Sequence, residues 1–290
     1  MLYWGGRMDF LLNEQSLQGQ FENVEEFLES IKPVIQCINI IHECSEMSIY
    51  KTINFNECKI TEKERICDLA RGQVSDELLH LQLSLDNEIY SRPFWDNNPE
   101  QDLDQEYLYG GEDVSCTSLS EAAVRKDALL SFALERFMDC VIVITSKEKT
   151  YRIPSVYTAK YLVEQYKNVL KIDRTTILKI KYDGTRVDCT TLETEYGADI
   201  LEEKEFKMLI STLDKIVEHD SWESIGRDDG LEYKKYTPSP KNNWFRDGKY
   251  RGKTIMKFRY SKVMRCFGYR KGDKLRLLRL ERDHSISDNG

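Results

Sequence analysis

Between Thr254 and Glu281 the chain carries three short runs, Thr254–Tyr260, Val263–Tyr269 and Leu275–Glu281, with the alternation of strands. Ser261–Lys262 separates the first two, and Lys271–Gly272–Asp273 the last two. Runs of this length joined by turns this short pair as an antiparallel meander, because a parallel return needs a long crossover. Such a meander must cover one face. The segment Leu201–His219 supplies the cover, with Phe206, Leu209, Ile210, Leu213, Ile216 and Val217 at helical spacing. The last third therefore reads as a helix, an irregular stretch from Ser221 to Pro240, and a small antiparallel sheet.

The same end of the chain is basic. Leu231 to Gly290 holds 17 Lys/Arg against 6 Asp/Glu, a net of +11. The 230 residues before it hold 25 against 44, a net of −19, and the whole-chain value of −8 conceals the split. A segregation of this size suggests that the last 60 residues meet a polyanion, or the acidic part of this chain or of a partner. Period two puts Lys257 and Arg259 on one face with Ile255, Arg265 beside Phe267 and Tyr269, and Arg279 beside Leu277 and Glu281. If the other face packs on the helix, these basic side chains lie open to solvent. Lys257, Arg259, Arg265, Arg270, Lys271 and Arg279 are then the expected nucleic-acid contacts, with Tyr260 and Tyr269 placed to stack on bases. His284, in the run Glu281–Arg282–Asp283–His284, is a candidate general acid.

The front of the chain alternates helical and strand signals. Met8–Leu12 and Cys140–Thr145 read as strands, as does Tyr151–Ile153. Glu22–His42 reads as a helix capped by Asn23 and interrupted at Pro33. Thr61–Leu85, Ser118–Met138 and Tyr157–Val169 also read as helical. Pro93–Gly111, rich in acidic residues and closed by two glycines, reads as a long loop or lid. The expected class is α+β in three parts: an acidic, mainly helical region over 1–111, an α/β region over 112–200, and the basic domain over 201–290.

Several chemistries find no support. The eight cysteines lack the paired spacing of zinc sites and the four histidines are scattered, so no metal site of the His/Cys type is expected and no metal ligand is assigned, while the abundant acidic residues leave a carboxylate-only Mg²⁺ site open. Gly248–Thr254, GKYRGKT, falls one residue short of a phosphate loop and precedes a strand instead of a helix, so no nucleotide cofactor is expected. Asp199, Glu202 and Lys204, like Asp228, Glu232 and Lys234, are the residue types of a metal-dependent nuclease but not in its arrangement. No run approaches the length of a membrane helix, and nothing reads as a secretory signal, so the expectation is a cytoplasmic protein with no membrane partner.

From about Leu201 to Ser287 the chain resembles the RelE/ParE/HigB toxin superfamily. The resemblance rests on the amphipathic helix, KFR at Lys257–Arg259, RCFGY at Arg265–Tyr269, LRLLRL at Leu275–Leu280 and ERDH at Glu281–His284. It implies a RelE-like sheet whose basic face holds RNA. It also implies a metal-independent ribonuclease in which Arg259 and Arg265 stabilise phosphorane charge and His284 protonates the leaving oxygen. Leu12–Phe21 and Ser118–Phe132 resemble uncharacterised proteins of prokaryotic antiviral (antiphage) defence loci, which work beside an ATPase or nuclease subunit. Two functions are therefore expected: a non-enzymatic sensor or adaptor of a defence complex, or a toxin that cuts RNA.

Overall fold

Two sheets organise the chain, one in each of two units, Met1–Lys171 and Ile172–Gly290, in a computed structural model that describes residues 8–44, 47–71, 74–239 and 242–283. The first unit holds strands β1 (Phe10–Leu12), β2 (Ile49–Tyr50), β3 (Leu108–Tyr109), β4 (Glu112–Asp113), β5 (Ala128–Leu130), β6 (Cys140–Ser146) and β7 (Lys149–Val156). Their order is β2-β1-β5-β7-β6-β3-β4. The first four in that order are parallel, and β6, β3 and β4 continue antiparallel.

Helices α1 (Val24–Ser30), α2 (Lys32–Cys44), α3 (Asp76–Tyr90), α4 (Ser118–Arg125) and α5 (Ala159–Tyr166) complete this unit. Asn23 caps α1 by accepting the Glu26 N–H at 2.9 Å. The expected interruption falls at Ile31, and Pro33 sits in the first turn of α2, where its missing N–H leaves no bond unmade. Leu119, Ala122 and Ala123 of α4 pack with Leu11, Leu129, Ile142 and Ile153 on one side of the sheet. On the other side Phe10 meets Tyr166 of α5 edge-on at 5.8 Å. The N-terminal part, expected to be mainly helical, is thus built on a sheet between helices.

One further expectation is corrected here. Ser118–Met138 is not one helix: α4 ends at Lys126, whose φ is +64°, and Ala128–Leu130 is a strand. A parallel strand covered on both faces is a continuous apolar run, which periodicity cannot tell from a buried helix. Pro93–Gly111, read as a loop or a lid, is mostly loop, and it is tied down at its middle. Glu121, fully buried, accepts the N–H groups of Glu100 and Gln101 at 2.8 and 3.1 Å. The segment ends in β3, and Gly110 and Gly111, both at positive φ, turn it into β4. Residue 111 therefore lies inside a hairpin, and the chain divides into its two units between Lys171 and Ile172.

The second unit contains α6 (Arg174–Lys181), β8 (Val187–Asp188), α7 (Glu203–Glu218), α8 (Trp222–Gly226), β9 (Lys234–Lys235), β10 (Ile255–Arg259), β11 (Arg265–Lys271) and β12 (Lys274–Glu281). The expected meander is β10-β11-β12, and the sheet extends it on both sides in the order β8-β12-β11-β10-β9. β8 runs parallel to β12, so the sheet is mixed. Phe206, Leu209, Leu213 and Ile216 form the buried stripe of α7. Arg282, just past β12, reaches Glu202 and Glu205 at the start of α7 at 3.2 and 3.0 Å. No helix among the described residues is long and apolar enough to cross a membrane.

Candidate nucleic-acid interface

The face of the sheet that carries Ile255, Lys257, Phe267 and Tyr269 is not open. The irregular stretch after β9 folds back over it, and Tyr236, Phe245 and Tyr250 pack with Ile255, Phe267, Tyr269 and Leu278, Trp244 lying partly buried alongside. Aromatic side chains in a segment with little regular structure need a surface to bury against, and here the strand face provides it.

The cations of that face are absorbed into the packing. Lys257, Arg265 and Arg279 are only 5%, 6% and 9% exposed. Lys257 Nζ lies 5.7 Å from the centre of the Tyr236 ring. Arg265 Nη1 donates to the carbonyls of Ser261 and Met264 at 3.1 and 3.0 Å and so closes the β10–β11 turn. Arg279 donates to Glu193 Oε2 at 2.9 Å, to the Trp244 carbonyl at 2.7 Å and to the Tyr250 hydroxyl at 2.9 Å. Its guanidinium also lies 4.8 to 5.4 Å from the ring centres of Tyr196, Trp244, Phe245 and Tyr250. Burial pushes the Glu193 carboxyl up, but hydrogen bonds from Tyr250 and Arg279 outweigh it and hold the group below the usual carboxylate range. The open-face expectation for these three residues is therefore corrected. Alternation placed them on one side of the sheet but carried no information about what covers that side.

Arg259 is half-buried, with Nη2 on the Asp229 carbonyl at 3.0 Å and Nη1 on Glu232 at 2.9 Å. Arg270 and Lys271 are exposed, and the Arg270 guanidinium lies 4.4 Å from the centre of the Trp222 ring. His284 lies outside the described residues. The sheet thus brings Arg259 and Arg265 together, paired across β10 and β11 and both within reach of Glu232, and leaves Arg270 and Lys271 apart from them.

The carboxylate sets weighed in the sequence are also taken up internally. Asp199 accepts the Arg174 N–H and the Thr175 hydroxyl. Asp228 holds Lys215 at 2.6 Å and His219 at 2.9 Å, and these partners keep its carboxyl down at about 2. Among the described residues no three His, Cys, Asp or Glu side chains are grouped so as to hold a metal ion.

What sequence reasoning missed is a cleft of about 270 Å³ at the edge of the aromatic layer. Tyr236, Phe245 and Tyr250 form its walls, and Lys235, Asn243, Lys253 and Thr254 stand around it. Lys235 and Lys253 are exposed, and so are Arg246, Lys249 and Arg251 on the segment that makes the cleft. The available signal was the interleaving of aromatic and basic residues from Tyr236 to Lys253. The three rings are only 4% to 6% exposed, so the cleft offers mainly polar and cationic groups, which suit an anion such as a phosphate. Comparison with known family models, curated proteins and solved structures finds no match to this chain.

Proposed function

We propose that this protein is a non-enzymatic nucleic-acid-binding subunit, a sensor or adaptor of the kind that serves prokaryotic antiviral defence, with the basic surface of its second unit as the contact. The observation that carries this reading is the division of labour among the cations. Lys257, Arg265 and Arg279 are buried in structural roles, whereas Lys235, Arg246, Arg251, Lys253, Arg270 and Lys271 are exposed. Exposed cations that neutralise phosphates gain affinity by releasing counterions, without any chemistry. Binding is favoured over cleavage because Arg259 and Arg265 are directed at carbonyls of their own chain and at Glu232. For the acidic first unit we propose docking to an ATPase or nuclease subunit. Exposed Leu79 and Leu83, one turn apart on α3, support that assignment.

The test is a salt titration of full-length protein on single-stranded and duplex oligonucleotides, with and without EDTA. Binding should weaken on a log–log slope of about −0.7 to −0.9 per phosphate contact. Arg270→Ala and Lys271→Ala should each flatten that slope by about one unit. No binding at low salt would refute the reading. Cleavage of RNA in EDTA would replace it with the ribonuclease alternative.

A further inference from the structure

The cleft beside β10 is bordered by two ammonium groups and, among the described residues, by no carboxylate. Its polar lining is Lys235, Lys253, the amide of Asn243 and the hydroxyl of Thr254. The buried rings behind them fix its shape: Tyr236 and Phe245 meet edge-to-face at 5.8 Å, and Phe245 and Tyr250 at 5.0 Å. Lys253 is placed by the same layer, its Nζ lying 4.7 Å from the centre of the Tyr269 ring and 5.9 Å from that of Tyr250. Asn243 Oδ1 accepts the Phe245 N–H at 2.9 Å, so the amide nitrogen is the end left to donate.

The two lysines differ from their neighbours. Lys249 pairs with Glu193 at 3.3 Å, Lys234 with Glu232 at 3.8 Å and Arg259 with Glu232 at 2.9 Å. Lys235 and Lys253 form no ion pair among the described residues. A recess with two uncompensated ammonium groups is matched in charge by a dianion. A phosphate inside a strand is a diester, with a single negative charge and a sugar on either side. A phosphate at the end of a strand is a monoester, with about −1.5 to −2 charge at pH 7 and three free oxygens. The monoester enters a recess without the strand having to bend after it, and lysine meets it as a point charge.

We propose that this cleft holds the terminal phosphate monoester of a nucleic-acid strand, with Lys235 and Lys253 on its oxygens. The inference rests on the nucleic-acid reading of the second unit and names the feature of the ligand that this face selects. Arg246 and Arg251, exposed on the segment that makes the cleft, are left for the diesters that follow.

The experiment measures binding of the full chain to one single-stranded sequence in three forms: 5′-phosphorylated, 3′-phosphorylated, and with hydroxyls at both ends. Hydrogen bonds to a charged group are worth about tenfold in affinity, so one phosphorylated form should bind about tenfold tighter than the hydroxyl-ended strand. Lys235→Met combined with Lys253→Met should bring that ratio to about one. Arg270→Ala combined with Lys271→Ala should weaken all three forms and leave the ratio intact. Equal binding of the three forms by the wild type would overturn the cleft and leave the nucleic-acid reading standing. The cleft is also overturned by a ratio retained in the double lysine variant, by total loss of binding there, or by a ratio lost equally in both variants. A nucleoside monophosphate that competes as well as the phosphorylated strand would assign the site to free phosphate esters and overturn the strand end. Failure of every form to bind would overturn both readings.

Discussion

Glu193 and Arg279 stand 86 residues apart in the chain and 2.9 Å apart in the fold, with four aromatic rings around the guanidinium. The pair joins the loop after β8 to the centre of β12. It is mostly buried, and without Arg279 the Glu193 carboxylate keeps only the Tyr250 hydroxyl and the Lys249 ammonium at 3.3 Å. Arg279→Met should destabilise the protein by about 3 to 5 kcal/mol in urea unfolding, and combining it with Glu193→Gln should recover much of that loss. A loss below about 1 kcal/mol for Arg279→Met would show that the pair does not hold the aromatic layer in place.

Gly268 sits at an irregularity in the β11–β12 pairing, where the register shifts between Phe267 and Gly268. A Cβ built there would lie 2.4 Å from the Arg276 carbonyl oxygen, and that backbone cannot rotate aside as a side chain can. Gly268→Ala should therefore destabilise by about 3 kcal/mol or more. A urea midpoint unchanged in this variant would mean that the two strands separate there at little cost.

How much of this was legible beforehand differs between residues for physical reasons. The strands containing Phe258, Phe267 and Leu277 were readable because alternation and turn residues are local signals. The strand Ala128–Leu130 was not, since an apolar run buried on both faces has no period to detect. The rise of Lys257, Arg265 and Arg279 into a covered layer was not legible either. It depends on Tyr236, Trp244, Phe245 and Tyr250 returning across the sheet, which is a tertiary event. Those four aromatics in an irregular basic segment were nevertheless a readable demand for a burial surface. Of the expected contacts, only the exposure of Arg270 and Lys271 followed from their place beside a turn.

His42 lies against Glu88 at 2.8 Å, and the other oxygen of Glu88 holds the buried Lys51 ammonium at 2.9 Å. The hydrogen bond to Glu88 raises the His42 imidazole above its ordinary value. Protonation is thus favoured in the folded state. Stability from this contact is complete below about pH 6.5 and is lost as pH rises through the higher folded value. His42→Gln should flatten the dependence of the urea midpoint between pH 6 and pH 8.5. An identical pH profile in wild type and variant would remove His42 from the account.

Asp127 is governed by the opposite change. Burial pushes its carboxyl up to about 6, although it accepts the Asp9 N–H at 2.9 Å. Its folded value exceeds its unfolded one, so the ionised form is a burden above about pH 6, and relief comes as pH falls toward 4. Asp127→Asn keeps an acceptor for Asp9 and removes the charge. It should stabilise by about 1 to 3 kcal/mol at pH 8, with the gain vanishing near pH 4. Equal destabilisation at both pH values would show that the charge plays no part and that the carboxyl is needed for its hydrogen bonds and shape.

The parallel pairing of β8 with β12 also governs the order in which the second unit can assemble. Among the described residues β8 has no other neighbour in the sheet, and the bond from the Thr191 hydroxyl to the Leu277 carbonyl, across 86 residues, belongs to the same closure. During synthesis β8 and Glu193 emerge long before the strand that secures them. Until β12 leaves the ribosome, a nascent chain displays its lysines and arginines and a loose aromatic segment with no strand face to receive it. Non-local closure of this kind is slow and leaves partly folded chains exposed to aggregation. A message cut short after β11 would yield a product that keeps most of the surface charge and lacks the strand needed to bury the rest.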